Sequence, residues 1–185
     1  MKWLIASDIH GSEACLEKLE KRMEEEKPDR ILLLGDLLYH GARNALPDGY
    51  DTIGCTARLN HWKDRITAVR GNCDSEIDQT VLEFSIMSPS AVIFDSGLMI
   101  FATHGHLYDE HFLPPLGGVD VLLCGHTHVP ACRDHGNFVY INPGSVSIPK
   151  SGSAHSYMTL ENGTFIWKTL DGEEYRRFQP ERRHG

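Results

Sequence analysis

The chain has 185 residues, with 18 lysines and arginines against 26 aspartates and glutamates, a formal net charge of −8, and 41% hydrophobic and 24% charged residues. This composition suits one globular domain over 1–185 and disfavours a broad basic track for nucleic acid. No stretch approaches the roughly 18 apolar residues of a bilayer span; the N-terminus enters a strand without a leader pattern, and the five cysteines are odd in number without a CxxC pair, so a cytoplasmic protein with reduced thiols is expected.

Taken in chain order, the apolar run 3–7 reads as a buried strand ending in Asp8-Ile9-His10. Ser12 then fits a helix N-cap, and Leu16, Leu19 and Met23 repeat at helical spacing until Lys27-Pro28 stops the segment. A second strand, 31–34, leads into Gly35-Asp36, which predicts a strand, helix, strand unit with a parallel pair and a right-handed crossover. Between Asp51 and Asp64 a second helix is predicted with Ile53, Ala57 and Trp62 facing inward, followed by strand 66–69 and Gly71-Asn72-Cys73-Asp74. Strand 99–103 ends in His104-Gly105-His106, and strand 121–124 ends in Gly125-His126-Thr127-His128.

From about residue 84 the pattern turns to short strands, at 91–94, 98–103, 138–141, 157–160 and 164–170. Asp95-Ser96-Gly97 and Glu161-Asn162-Gly163 are hairpin signals. The fold class expected is α/β: two packed mixed β-sheets flanked by helices, an α/β sandwich. The polar tail after Asp171, ending Arg182-Arg183-His184-Gly185, is expected to fray.

Each of the five ligand-rich blocks follows a strand-like run, which should gather them at one edge of a sheet. Seven of their side chains, Asp8, His10, Asp36, Asn72, His104, His126 and His128, mix carboxylate, imidazole and amide oxygen. Hard divalent ions accept that mixture, and a pair about 3.5–4 Å apart can hold phosphoryl oxygens and lower the pKa of water. Residues two apart on an extended segment share a face, which would aim Asp8 with His10 and His126 with His128. Gly35, Gly71, Gly105 and Gly125 beside them fit a crowded centre where backbones approach closely. Any one of these histidines alone would more often be an ordinary surface or core residue; the joint pattern carries the reading.

These blocks, in this order over about residues 8–128, closely resemble the calcineurin-like metallophosphoesterase superfamily, within it the small bacterial YfcE-type phosphodiesterases. The nearer resemblance rests on Gly71-Asn72-Cys73-Asp74, on Asn44-Ala45-Leu46-Pro47 and on Asn142-Pro143-Gly144-Ser145-Val146. It implies a metallophosphoesterase sandwich with two divalent ions, Mn²⁺ by preference. Asp8, His10 and His128 would hold the first, Asn72, His104 and His126 the second, and Asp36 would bridge them. It further implies hydrolysis of small or nucleotide-like phosphodiesters by a metal-activated hydroxide, with little activity on monoesters.

Cys73 stands where many members carry a histidine. A thiol, with a reference pKa near 8.5, is a poor proton donor to a leaving group at neutral pH. Cys73 and His106 are therefore the candidate catalytic residues beside the metals, with His106 equally readable as a proton donor or a phosphate ligand. Arg43 and Asn44, in a segment able to cover the cleft, are the candidate substrate contacts. Arg70 is as readily a structural ion pair, and Asp74 either orients its turn or caps a helix. Of the remaining histidines, His40 is the one expected to approach the cleft.

Two rival functions share the pattern. One is a nuclease, disfavoured by the acidic charge and the absence of an appended DNA-binding domain. The other is a protein-interaction module on the same fold, disfavoured by the complete ligand set. Apolar residues near the C-terminus (Phe165, Ile166, Trp167) leave a homodimer or homotetramer open, and no membrane partner is expected.

Overall fold

A computed structural model describes residues 1–115 and 117–183; His184 and Gly185 of the tail lie outside the described residues. Its elements, in order, are β1 (Lys2–Ala6), α1 (Glu13–Glu26), β2 (Arg30–Leu33), α2 (Thr52–His61), β3 (Ile66–Ala68) and α3 (Glu76–Val81). These are followed by β4 (Ser90–Asp95), β5 (Leu98–Thr103), β6 (Val121–Leu123), β7 (Ala131–Asp134), β8 (Val139–Asn142), β9 (Ser156–Glu161), β10 (Thr164–Thr169) and β11 (Glu174–Phe178).

Among the described residues the strands form two mixed sheets, one ordered β11-β10-β9-β1-β2-β3 and the other β4-β5-β6-β8-β7. β1 pairs with β2 in parallel and with β9 antiparallel, so the first strand lies inside its sheet. This explains its uninterrupted apolar sequence, since an interior strand is buried on both faces. Ile5, Leu32 and Leu34 point into the layer between the sheets, against Ile100, Ala102, Leu123, Ile141 and Trp167. Leu4, Ala6, Ile31 and Leu33 point the other way, onto Leu16, Leu19 and Met23 of α1 and Cys55 and Leu59 of α2.

α1 begins where Ser12 Oγ accepts the Cys15 N–H and ends at Lys27, whose left-handed φ of 49° precedes Pro28. α2 is capped by Asp51, which accepts from Ile53 N and Gly54 N. Its inward face differs from the expectation: Cys55 and Leu59 are buried, while Ile53 is 82% exposed. Trp62 does pack on the core, from beyond the helix end. Both hairpin signals form turns with two successive positive φ values, 52° and 82° at Ser96-Gly97 and 51° and 76° at Asn162-Gly163. That pair of left-handed residues matches the twist of the flanking strands.

One further expectation, the fraying tail, is corrected. Among the described residues, α1 and α2 pack on the six-stranded sheet. On the outer face of the other, Phe101, Leu122, Phe138 and Tyr140 are packed by Tyr108 and Val119 of the loop between β5 and β6. The polar tail includes β11, which pairs with β10, and Arg183 donates its backbone N–H to Asp120 at 2.7 Å and its guanidinium to Asp134 at 2.7 Å.

Candidate metal centre

The five ligand-rich blocks follow the C-terminal ends of β1, β2, β3, β5 and β6. The first three strands belong to one sheet and the last two to the other, so the cluster spans the ends of both sheets rather than one sheet edge. Asp8, His10, Asp36, His126 and His128 all hold positive φ, between 50° and 66°. Extended geometry therefore does not aim the paired ligands; a left-handed backbone does. Each such residue without glycine's freedom costs of order 1 kcal/mol, a cost that concentrates at sites where the fold overrides it. Crowding is extreme: a Cβ on Gly71 would lie 2.1 Å from Asp36 Oδ1, and one on Gly125 would lie 1.9 Å from Ser7 Oγ.

All seven predicted ligands come together. Asp8, His10 and His128 form one buried group whose ligand-type atoms lie within 4.8 Å of one another. His10 Nε2 stands 3.3 Å from His128 Nε2, and Asp8 Oδ1 stands 3.3 Å from His128 Nε2. In the second group, His104 Nε2 lies 3.1 Å from Asn72 Oδ1 and 3.2 Å from His126 Nδ1. Asp36 Oδ2 belongs to both, at 3.6 Å from His10 Nε2 and 3.4 Å from His104 Nε2.

On three of the four histidines the other ring nitrogen is anchored by a main-chain carbonyl. Nδ1 of His10 donates to Tyr39 O at 2.8 Å, that of His104 to Leu34 O at 2.6 Å and that of His128 to Ile148 O at 2.6 Å. A carbonyl can only accept, so Nδ1 carries a proton and Nε2 is the nitrogen turned inward. Asp74 frames the centre without entering it: its carboxylate accepts from Asp36 N at 2.9 Å, Leu37 N at 2.8 Å and Gly71 N at 2.7 Å. It therefore orients the turn, while Ser75 supplies the cap of α3. Asp8 O accepts from the hydroxyls of Ser145 and Ser147 at 2.9 and 3.0 Å.

Two observations test the fit of cations to these residues. Asp8 Oδ1 is buried without a hydrogen-bond donor, and the Nε2 atoms of His10 and His128 face each other at 3.3 Å. The donor set of carboxylate, imidazole and amide oxygen is the one hard or borderline divalent ions accept. Divalent cations fit. In their absence burial opposes charge on His104, but Asp36 and Asp8 outweigh it and lift its pKa to about 9. Asp36 is held below the usual carboxylate range, its burial outweighed by the hydrogen bond and charge of His104.

An open cleft of about 920 Å³ borders the cluster, lined among others by Asp36, Arg43, Asn44, Arg70, Cys73, His126, His128 and Lys150. Asn44 spends its amide on His40 O at 2.9 Å, which folds the loop, whereas Arg43 is exposed at the cleft wall. Arg70 reaches Glu76 at 3.3 Å, so it is both cleft wall and ion pair. The Cys73 thiol is pushed up to about 12 by burial and by Asp36, whose Oδ1 accepts the Cys73 N–H at 2.8 Å. His106 stands a row back, its ring 5.4 Å from His104 and 6.3 Å from His126. Burial and those two rings lower its pKa. His40 packs between Tyr39 and Tyr50 rather than at the cleft.

Sequence reasoning missed the carbonyls of Leu34, Tyr39 and Ile148, because a main-chain contact leaves no residue-type signal. It also missed Lys150, whose short spacing from the Asn142-Pro143-Gly144-Ser145-Val146 block was the available clue.

Residues 1–164 match the family model described as the calcineurin-like phosphoesterase superfamily domain. The chain is 45% identical over 162 residues, 88% of each chain, to phosphodiesterase YfcE of Escherichia coli. It is 28% identical over 171 residues to the probable metallophosphoesterase YsnB of Bacillus subtilis, covering 88% of this chain and 86% of that one. A solved structure of YfcE, a phosphoesterase from E. coli, superposes with a TM-score of 0.93 at 41% identity, covering 98% of this chain and 100% of the other.

Proposed function

This chain belongs to the calcineurin-like phosphoesterase superfamily and is a phosphoesterase of the YfcE type, and from that premise we propose that it hydrolyses small or nucleotide-like phosphodiesters with two divalent cations, Mn²⁺ by preference. The observation that carries this reading is Asp36, whose Oδ2 lies between His10 Nε2 and His104 Nε2 and so belongs to both ligand groups. Asp8, His10, His128 and Asp36 would hold one cation, and Asp36, Asn72, His104 and His126 the other. When bound, the pair would supply Lewis acidity toward the phosphoryl oxygens and a water acidified enough to attack phosphorus at neutral pH.

The protein's own part is preorganisation. The carbonyl anchors fix the tautomer of three imidazoles, and Asp74 ties the Asp36 turn to the Gly71 turn. Arg43 and Lys150 line the cleft and would offer positive charge to the single anionic charge of a diester. Cys73 adjoins Asp36 as a neutral thiol, so it neither attacks nor readily gives up a proton. His106 loses its proton more easily than an ordinary histidine and is a weak reservoir of protons at neutral pH. With neither group well poised to protonate an alkoxide, the site suits diesters whose leaving group departs as a stable anion. The net charge of −8 weighs against a nuclease, and the complete ligand set weighs against a role confined to scaffolding.

The test is hydrolysis of bis(p-nitrophenyl) phosphate and p-nitrophenyl phosphate by metal-stripped protein restored with single ions. Diester turnover that requires added divalent ion, and is greatest with Mn²⁺, is the expected result. Full turnover by metal-free protein would sink the reading.

A further inference from the structure

Beside the metal cleft lies a second cavity of about 530 Å³, between the loop after β2 and helices α2 and α3. Its walls are apolar where a surface would ordinarily be polar. Ile53 is 82% exposed, Ile77 75%, Val81 46% and Tyr39 42%, and Ala57 and Tyr50 line the same cavity. Ile53 and Ala57 are the apolar helix positions whose spacing predicts core packing. They line this cavity instead, so the apolar face of α2 is divided between the core and a recess.

The recess and the cleft share one lining residue. Tyr39 lines both cavities, and its carbonyl accepts Nδ1–H of His10 at 2.8 Å. A group seated against the Tyr39 ring is therefore one residue away from the metal cluster. Asp78 is the one charged side chain among the lining residues, and its carboxylate already accepts from the N–H and O–H of Ser75 at 2.8 Å each. Such a wall would repel a second phosphate and favours an uncharged ring, whose apolar faces meet isoleucine, valine and tyrosine. The volume lies within the range of small-molecule sites, about 300–1,000 Å³.

We propose that this recess is the subsite for one ester arm of the diester, and that the arm it takes is an uncharged aromatic ring, whether of an aryl ester or of a nucleobase. The inference rests on the reading of the neighbouring cluster as a phosphodiesterase centre. It makes Tyr39, Ile53 and Ile77 the residues that set substrate preference, by apolar contact and ring stacking rather than by hydrogen-bond readout.

The experiment measures the affinity of Mn²⁺-loaded protein for dimethyl phosphate, methyl phenyl phosphate and thymidine 5′-methyl phosphate, in the wild type and in the double variant Ile53→Ser, Ile77→Ser. Both positions are largely exposed, so the variant should fold. KM for methyl p-nitrophenyl phosphate is read in parallel. In the wild type at least one ring-bearing ester should bind about tenfold more tightly than dimethyl phosphate, equivalent to about 1.4 kcal/mol. The double variant should lose most of that gain and raise KM. A gain for the phenyl ester alone identifies an aryl arm, and a larger gain for the thymidine ester identifies a nucleobase.

Equal affinity for all three esters, or a gain that survives the double variant, would overturn the proposal. So would a double variant that changes only the sedimentation of the protein, which would make the recess a contact between copies. A protein that binds the ring-bearing esters more tightly and hydrolyses none of them would keep the subsite and refute the diesterase reading instead.

Discussion

The Nε2 atoms of His10 and His128 face each other at 3.3 Å while both rings give their Nδ1–H to main-chain carbonyls. Two lone pairs at that separation repel unless a proton or a cation lies between them. The carbonyls of Tyr39 and Ile148, on loops far apart in sequence, thus fix the protonation pattern that would let this pair act as ligands. The same arrangement makes the site's ion dependence testable residue by residue.

Asp36 is the most informative position. Asp36→Ala should lower bound metal from two equivalents toward one or none and abolish diester hydrolysis, because its shared oxygen is the one group common to both ligand sets. Metal content by mass spectrometry and turnover of bis(p-nitrophenyl) phosphate check this together. Retention of two ions and of wild-type turnover would contradict the shared role.

Cys73 tests substrate class. Its thiol lies against Asp36, and burial and that carboxylate push it up to about 12. Cys73→His should raise the monoester-to-diester ratio of kcat/KM, since an imidazole there can meet the extra charge of a monoester or protonate a poorer leaving group. General acid catalysis contributes about 10²–10⁴-fold where it operates. An unchanged ratio at unchanged metal content would move attention to His106 and Arg43.

Asp74 separates framework from chemistry. Three buried main-chain N–H groups, of Asp36, Leu37 and Gly71, lose their acceptor in Asp74→Ala. An unsatisfied buried donor costs about 1–3 kcal/mol, so a loss on the order of 3 kcal/mol is expected for the metal-free protein. Metal affinity should fall about 10–100-fold, as for other outer partners of ligands. Unchanged denaturation midpoints would show that water replaces the carboxylate.

His104 gives the pH dependence its sign. In the metal-free protein its pKa is lifted to about 9, so at pH 7 it carries a proton that a cation must displace. Apparent metal affinity should therefore rise from pH 7 to about 9, by up to tenfold per unit, and level off above. Stability of the metal-free fold runs the opposite way. The raised pKa contributes fully below the unfolded value near 6.5 and is lost as pH climbs through about 9. Calorimetric titration with Mn²⁺ in buffers of different ionisation heat should detect about one proton released at pH 7 and about a quarter of one at pH 9.5. No release at pH 7 would refute the assignment.

Much of this was legible in the sequence because the relevant signals are local. Ser12 and Lys27-Pro28 bracket α1, two Gly-containing turns form the hairpins, and each ligand block follows an apolar run. Two packed sheets were expected, but which ligand-bearing strand belongs to which sheet was not legible, since an apolar run states that a strand is buried without stating its neighbours. β7 and β11 escaped because they are polar edge strands, Ala-Cys-Arg-Asp and Glu-Tyr-Arg-Arg-Phe, without alternation to mark them. The inward face of α2 was misread because Ile53 looks like core by its type; its exposure is explained by what lies beside it, not by its spacing. The left-handed conformations at Asp8, His10, Asp36, His126 and His128 are only weakly marked by residue type, since aspartate and histidine are enriched at positive φ yet adopt it in a small minority of cases.

The seating of Asp8 by Ser145 and Ser147 bears on the order of events during synthesis. β1 is made first, yet it lies between β2 and β9, and its terminal aspartate is clamped by hydroxyls that emerge nearly 140 residues later. Pairings of such long range are slow to form and depend on closing most of the chain. A nascent chain ending before residue 145 therefore has ligand residues and no seated Asp8, which predicts that a fragment ending at residue 140 binds Mn²⁺ far more weakly than the full chain. Comparable affinity in the fragment would show that the serines do not control assembly. On that expectation the protein would acquire its cations late, after the strand that carries Asp8 has waited for almost all of the others.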